Sequence, residues 1–216
     1  MEVQKLGKSI CNVLASGSRG NCVIYHNSIA FSMGVPFSYI KPYLYQLKLI
    51  ILDHVHSDHF NVSTIKKIAF ERPTVRFCCG EWMLPYLTGI KNIDVVEFGK
   101  VYDYGEFKVS PVKAFHDVPN LGMRIYKGNH RILHMTDTSR LDGIIATAYD
   151  IYALECNFDL ETVFDTIREK ESRGEFSHQR GSINCHLSEQ AANDFFFKNK
   201  GENSILVRLH ESSSSL

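Results

Sequence analysis

The chain has 216 residues, of which 44% are hydrophobic, 12% aromatic and 22% charged, enough apolar material for one sizeable core. Lys+Arg and Asp+Glu are equal at 24 each, for a formal net charge of zero, which argues against a general nucleic-acid binder, whose surface carries a basic excess. No stretch approaches the roughly 18 consecutive apolar residues of a membrane span, and MEVQKLGKSICNVLASG lacks the long apolar core of a signal peptide. The cysteines Cys11, Cys22, Cys78, Cys79, Cys156 and Cys185 form no CxxC pair. The expectation is a cytoplasmic protein with reduced thiols and no membrane partner.

In chain order, ICNVLA and CVIYH read as strands split by the turn-rich SGSRGN, and SIAFSM as a third strand. SYIKPYLYQL reads as a short helix started or interrupted at Pro42. LKLIILDH is a continuous apolar run of buried-strand length. NVSTIKKIAFE has helical spacing, with Ser63 and Thr64 as candidate caps; TVRFCCG reads as a strand and EWMLPYLTG as a short helix stopped by Gly89. DVVEF, FKVSPVKAFH, GMRIYKG and HRILHMTD read as strands, and IIATAYDIYALEC as a turn or short helix followed by a strand. LETVFDTIREKESRG and HLSEQAANDFFFKNKG read as helices and SILVRLH as a last strand. Strands dominate each half and helices accompany both, an order that suits two sheets with helices outside. One domain over 1–210 is expected, with 211–216 a flexible tail.

The stretch ILDHVHSDHF closes the LKLIILDH run with His54, His56, Asp58 and His59 in six positions. Imidazole nitrogens and carboxylate oxygens suit Zn²⁺, Mn²⁺ or Fe²⁺. One such cluster cannot fill two coordination shells, and further candidates stand at other strand ends: His116 after FKVSPVKAF, Asp137 after ILHMT and His210 after LVRL. A carboxylate can bridge two metals, which makes Asp137 the natural shared ligand. The SGSRGN loop is either a tight turn using Gly17 and Gly20 or an anion-binding nest of backbone N–H groups. His26, His130, His134 and His178 carry no motif. Phe195, Phe196 and Phe197 read as a helix core face or a subunit contact.

HVHSDH resembles the HxHxDH motif of the metallo-β-lactamase fold. LASGSRGNC, HDVPNLGMRI, MTDTS, LECNFD, HLSEQAA and the closing LxxLHxS are similar, in order and over nearly the whole chain, to the YycJ/WalJ-type hydrolases. The layout is shared with tRNase Z enzymes and with the anti-Pycsar phosphodiesterases that phages use against cyclic-nucleotide defence. The resemblance implies an α/β chain with an αββα sandwich of two mixed β-sheets and outer helices. It implies two divalent metal ions per chain, Zn²⁺ foremost with Mn²⁺ as the alternative. His54, His56 and His116 would hold one, Asp58, His59 and His210 the other, with Asp137 between them. His186 would contact the phosphate or protonate the leaving oxygen, and could instead be a helix-start residue near a cap. Glu155 is a strand-end acid or a partner of such groups. Asp58 would orient the nucleophile, with Ser18, Asn21 and His186 on the substrate.

Three positions depart from the pattern: Ser32 replaces the usual strand Asp, Asp53 replaces the usual Thr before the first His, and HESSSS replaces HLSxxN. The Asp53 oddity is expected to connect with the acid missing at Ser32. The implied activity is hydrolysis of a cyclic mononucleotide by a homodimeric, metal-dependent phosphodiesterase. The alternatives are a nuclease of the tRNase Z or DNA-exonuclease kind, a non-phosphate ester or thioester hydrolase, and a metal-stabilised binding protein. The zero charge and the lack of a Gly/Pro-rich arm weigh against a polymer substrate.

Overall fold

The structure is a computed structural model that describes residues 10–174 and 183–211. The tail expected at 211–216 lies outside the described residues except for Glu211, as does His178. The chain divides into two compact units, Met1–Tyr102 and Asp103–Leu216. Among the described residues each sheet has six strands, and no helix is long and apolar enough to cross a membrane.

In the first unit the sheet runs in sequence order: β1 (Cys11–Ala15), β2 (Cys22–Tyr25), β3 (Ile29–Phe31), β4 (Leu49–Leu52), β5 (Arg76–Cys79) and β6 (Ile93–Val95). β1, β2 and β3 are antiparallel, and the pairs from β3 to β6 are parallel. His26, Asn27 and Ser28 join β2 to β3, with His26 and Asn27 at φ 49° and 53° and Ser28 N closing the turn on Tyr25 O at 3.0 Å, the paired positive φ of a tight hairpin turn. All four residues of β4 are buried, as a strand inside a parallel sheet requires. That explains the unbroken apolar run in the sequence.

Parallel neighbours need a crossover, and between β4 and β5 it is made by loop 53–61 and helix α2 (Val62–Glu71). The N-cap of α2 is Asn61, not Ser63 or Thr64 as the sequence suggested: Asn61 Oδ1 accepts from Thr64 N at 3.0 Å. Thr64 is buried, and its hydroxyl is committed to Val35 O at 2.8 Å. Ile65 and Ile68 turn inward one helical step apart, each worth roughly 1.5–3 kcal/mol of burial. The preceding segment forms α1 (Phe37–Ile40) and a 3-10 turn at Lys41–Tyr43 with Pro42 in its first turn, where proline's missing N–H is no loss. EWMLPYLTG forms a 3-10 turn at Glu81–Tyr86.

Loop 53–61 carries no regular structure of its own but is laced to neighbouring backbone. Met33 N donates to His59 O (2.7 Å), Asn61 N to Met33 O (2.7 Å), Asn21 N to Asp58 O (2.7 Å) and Gly34 N to Asn21 O (3.0 Å). The two segments are packed closely enough that a Cβ at Gly34 would sit 1.6 Å from Asp58 O.

In the second unit the sheet order is β12 (Ile205–Leu209), β11 (Ile151–Glu155), β10 (His130–Met135), β9 (Leu121–Lys127), β8 (Lys108–Lys113) and β7 (Tyr102–Asp103). β10, β11 and β12 are parallel, while β9 is antiparallel to both β10 and β8. The strand expected through FKVSPVKAFH ends at Lys113. Beyond it Phe115 N donates to Thr138 Oγ1 at 2.9 Å instead of extending a ladder. IIATAYD is turn rather than helix, and the two-residue β7 had no sequence signal.

Helix α3 (Leu160–Ser172) is capped by Asp159 and buries Val163 and Ile167. Helix α4 (Glu189–Asn199) is capped by Ser188 and buries Ala192 and Phe196; in both, spacing four puts the apolar pair on one face. Phe195 and Phe196 pack into the core, whereas Phe197 is 65% exposed. All six cysteines are free thiols.

Because the atom nearest a Cβ at Gly34 is backbone, relief would have to come from loop 53–61 itself. Gly34→Ala is expected to lower stability by about 3 kcal/mol, the upper end of ordinary overpacking costs. Urea denaturation of variant and wild type measures it, and an unchanged midpoint contradicts the close approach.

Candidate metal-binding and proton-transfer residues

β4 ends at Leu52, and the next residues leave the sheet at the carboxyl end of parallel strands, where open α/β sheets present their functional groups. Asp53, His54 and His59 are fully buried, His56 is half-buried, and the Asp58 side chain is 20% exposed. The His54 ring lies 4.8 Å from His56 and 4.3 Å from His59, centroid to centroid.

Asp53 Oδ2 organises this group. It lies 2.8 Å from His59 Nδ1, 3.2 Å from His54 Nδ1 and 3.0 Å from Ser32 Oγ, which donates to it. The other oxygen, Oδ1, is buried and makes no hydrogen bond among the described residues. Burial alone would raise this carboxyl's pKa, but His59 and His54 beside it outweigh burial and hold it well below the usual carboxylate range. Burial, and secondarily this negative charge, pushes the neighbouring Cys22 thiol up to about 12.

Trp82 Nε1 donates to Asp53 O at 3.3 Å. Asn21, 4% exposed, closes its own turn by accepting from Gly17 N (2.8 Å) and donating to Gly17 O (3.0 Å). Its amide nitrogen also lies 3.2 Å from Asp58 Oδ2 and 2.8 Å from His59 Nε2. Gly17 and Gly20, at φ 126° and 151°, permit this turn, and the Gly17 N–H is used within it. Ser18 is exposed on the same turn.

The second unit carries a parallel arrangement. Asp137 follows β10 and His210 follows β12, both at positive φ (51° and 54°), an uncommon conformation for non-glycine residues that must be held by its surroundings. For Asp137 that hold comes from Asn120, whose side-chain amide donates to Thr136 O and Asp137 O at 3.2 and 2.8 Å. For His210 it comes from Asn157 Nδ2, which donates to His210 O at 3.1 Å and faces its Nδ1 at 2.9 Å. His116 Nε2 lies 3.6 Å from Asp137 Oδ2 and 3.0 Å from Asp117 Oδ1, while its Nδ1 sits 3.0 Å from Cys185 O. His210 Nε2 lies 3.7 Å from Asp137 Oδ1.

Glu155, at the end of β11 and fully buried, joins these groups. Oε2 accepts from Thr138 N (2.9 Å) and Leu187 N (3.1 Å), and Oε1 meets His186 Nδ1 at 2.5 Å. Burial raises the Glu155 pKa, with His186 opposing. Burial would lower that of His186, but Glu155 outweighs it and the imidazole is raised. The 2.5 Å contact joins the two groups as a short, charge-assisted pair. The His186 ring stacks on His210 at 5.3 Å and meets His116 edge-on at 5.1 Å.

Within each unit, groups that could hold a divalent cation lie together: ligand atoms of Asp137, Glu155, His186 and His210 fall within 4.8 Å of one another, as do those of Asp53, His54 and His59. Asp53 and Glu155 are engaged by imidazole Nδ1 atoms and His186 by Glu155, so the ligands on offer are Asp137 and His210 in one group and His54 and His59 in the other. The imidazoles of His54, His59, His116, His186 and His210 meet oxygen or amide partners at Nδ1, the kind of outer-sphere support that metal-ligating histidines have. Within the first unit the structure groups His54, His56, Asp58 and His59 with Asn21. Within the second it groups His116, Asp137, His186 and His210. Sequence reasoning did not find the anchoring roles of Asn120, Asn157 and Thr138, and it left Glu155 open; each depends on partners 16 or more residues away, beyond any local motif.

No protein-family model matches the chain. Over 110 residues, 46% of its length, the chain is 32% identical to the human protein named inactive cytidine monophosphate-N-acetylneuraminic acid hydroxylase. Over 105 residues, 44% of its length, it is 33% identical to cytidine monophosphate-N-acetylneuraminic acid hydroxylase of Xenopus laevis. It spans only about a fifth of these relatives' lengths, 22% and 18%. Among solved structures, the metallo-β-lactamase fold protein YhfI of Bacillus subtilis is similar at TM-score 0.71 and 19% identity, covering 94% of this chain and 85% of that one. Human tRNase Z, short form, is similar at TM-score 0.65 and 15% identity, covering 94% and 93%. A diphosphatase of the PhnP family is similar at 0.64 and 15%, covering 94% and 85%. With two mixed six-stranded sheets and flanking helices, the chain has the metallo-β-lactamase fold.

Proposed function

We propose that the protein is a divalent-metal-dependent phosphodiesterase that opens small cyclic mononucleotides to linear monophosphates. The carrying observation is the Glu155–His186 pair, a buried carboxylate 2.5 Å from an imidazole that stacks on His210. Metal binding alone would suit any hydrolase; a proton held beside the candidate ligands suits a reaction whose leaving group is an alkoxide. Two of the similar structures are named a tRNase and a diphosphatase, which supports chemistry at phosphorus.

In this reading His54, His56 and His116 would hold one ion and Asp58, His59 and His210 a second, with Asp137 available to both, and Zn²⁺ is the first candidate and Mn²⁺ the next. Such a pair of ions, when bound, activates water at neutral pH and neutralises charge on a phosphate oxygen. Asp58, the most exposed of the loop acids, orients that water and takes its proton. The new O–P bond forms as the P–O bond to the sugar breaks, and His186 gives its proton to the departing sugar oxygen. Glu155 keeps His186 charged and aimed for that transfer. Asn21 and Ser18 stand on the loop assigned to the nucleotide. A homodimer contact through exposed Phe197 and a counter-defence role in an infected cell belong to the same proposal.

A second reading, a nuclease, is favoured by the similarity to tRNase Z. One panel separates the two: purified protein with Zn²⁺ or Mn²⁺ against 3′,5′-cyclic nucleotides, pre-tRNA, single-stranded DNA and a thioester. Cytidine nucleotides belong in it because the curated relatives are named for a cytidine monophosphate conjugate. Linear monophosphates from the cyclic substrates are expected, with about two metal equivalents per chain. Turnover of polymer alone moves the assignment to a nuclease, and turnover of thioester alone removes phosphate altogether.

His186→Ala is expected to lower kcat on a cyclic nucleotide by roughly 10²–10⁴-fold while metal content stays the same; an unchanged kcat contradicts the proton-donor role. Glu155→Gln retains an acceptor for Thr138 N and Leu187 N, so kcat should fall with stability nearly intact. Glu155→Ala strands those buried donors and is expected to cost a further ~2–4 kcal/mol in urea unfolding. Equal stability of the two variants contradicts the double role.

A further inference from the structure

The N-terminal cluster depends on a single carboxylate oxygen. Asp53 Oδ2 lies 2.8 Å from His59 Nδ1 and 3.2 Å from His54 Nδ1, and it accepts from Ser32 Oγ at 3.0 Å. All four residues are buried. A carboxylate can only accept, so each neutral imidazole facing it must carry its proton on Nδ1. At His59 a second observation agrees: the Asn21 amide nitrogen, a donor, faces Nε2 at 2.8 Å, which requires Nε2 to hold a lone pair. The Asn21 orientation is itself fixed, because its oxygen accepts from Gly17 N at 2.8 Å.

Ser32 has a further place in this arrangement. Its Oγ lies 3.1 Å from His59 Nδ1 as well as 3.0 Å from Asp53 Oδ2. It sits at φ 58°, a conformation that Asp tolerates better than most residues. A carboxylate on residue 32 could therefore reach His59 Nδ1 from beside the place that Asp53 Oδ2 occupies. Nothing in the structure places Ser32 within reach of His54.

We propose that Asp53 is a positioning residue that locks both His54 and His59 as Nδ1–H tautomers with the lone pair on Nε2, the His59 Nε2 serving as a ligand once the Asn21 amide yields it to an ion, and that Ser32 and Asp53 are exchangeable sites for the acid that serves His59 but not His54. This rests on the reading of His54 and His59 as metal ligands only for its purpose; the tautomer assignment stands or falls independently. One carboxylate then orders two ligands of different ions in the proposed centre, so its loss affects both. The shorter contact makes His59 the more firmly held of the two.

The test is long-range ¹H–¹⁵N NMR of the imidazoles in the metal-free full chain near pH 8, above the ordinary histidine pKa of about 6.5. His54 and His59 are expected as single Nδ1–H tautomers. Asp53→Thr should bring up the Nε2–H form at both, and the double variant Ser32→Asp/Asp53→Thr should restore His59 and leave His54 mixed. Asp53→Leu, which keeps the branched four-atom side-chain skeleton without its oxygens, replaces the single variant if Thr unfolds the chain. Zn²⁺ titration of the same samples should show about a 10–100-fold loss of affinity in the single variant and partial recovery in the double one. Nε2–H tautomers in the wild type, or tautomers indifferent to Asp53, overturn the proposal. Ordered Nδ1–H tautomers in a wild type that binds no Zn²⁺ sustain the assignment and overturn only the metal reading of the preceding section.

Discussion

A carboxylate with no exposed surface has to be answered by donors, and in this chain that requirement organises the loop around it. Asp53 cannot turn to water, so His54, His59 and Ser32 must keep their donors on it. Those three residues come from the end of β3, the end of β4 and the far side of the loop. Holding them together needs the backbone ties of Met33 to His59 and Asn61, and of Asn21 to Asp58. The loop has no helix or strand of its own, yet its position is over-determined from both sides.

The second unit solves the same problem with Glu155. It too is fully buried at a strand end, but its donors are two backbone N–H groups and one imidazole. The difference has a chemical result. Asp53 has His59 and His54 at 2.8 and 3.2 Å and its carboxyl is held low, whereas Glu155 has His186 at 2.5 Å but His210 only at 3.6 Å and the Asp137 carboxylate nearby, and its carboxyl is raised, by burial first. A low carboxyl is a fixed anion suited to orienting neutral imidazoles. A raised one coupled to a raised imidazole is suited to keeping a proton at hand.

Much of this was legible in the residues because strand ends are legible. LKLIILDH announces a buried strand by its unbroken apolar run, and the His/Asp cluster follows where the run stops; the same holds for Asp137 after HRILHM and His210 after ILVRL. The pairing of Ser32 with Asp53 could be suspected from two matched departures from one motif. Other features were not readable. Asn61 outcompeted Ser63 and Thr64 for the cap because Thr64 is drawn into a tertiary bond with Val35. FKVSPVKAFH looks like one strand through His116, but Phe115 leaves the ladder for the Thr138 hydroxyl. β7 is two residues long, too short for any periodicity. Asn120 and Asn157 look like ordinary loop residues, and their work on Asp137 and His210 appears only once distant strands are side by side.

The Cys22 thiol, which follows Asn21 directly, bears on which metals this region can hold. Burial and the Asp53 charge push it up to about 12, so at neutral pH it stays protonated, and a protonated thiol is a poor ligand. A soft ion such as Cu(I) selects thiolate sulfur, while nitrogen and oxygen donors favour harder divalent ions. Burial first, and the carboxylate that orients two imidazoles second, thus keep this sulfur out of the donor set, and the nitrogen and oxygen groups beside it are those that a harder divalent ion would take.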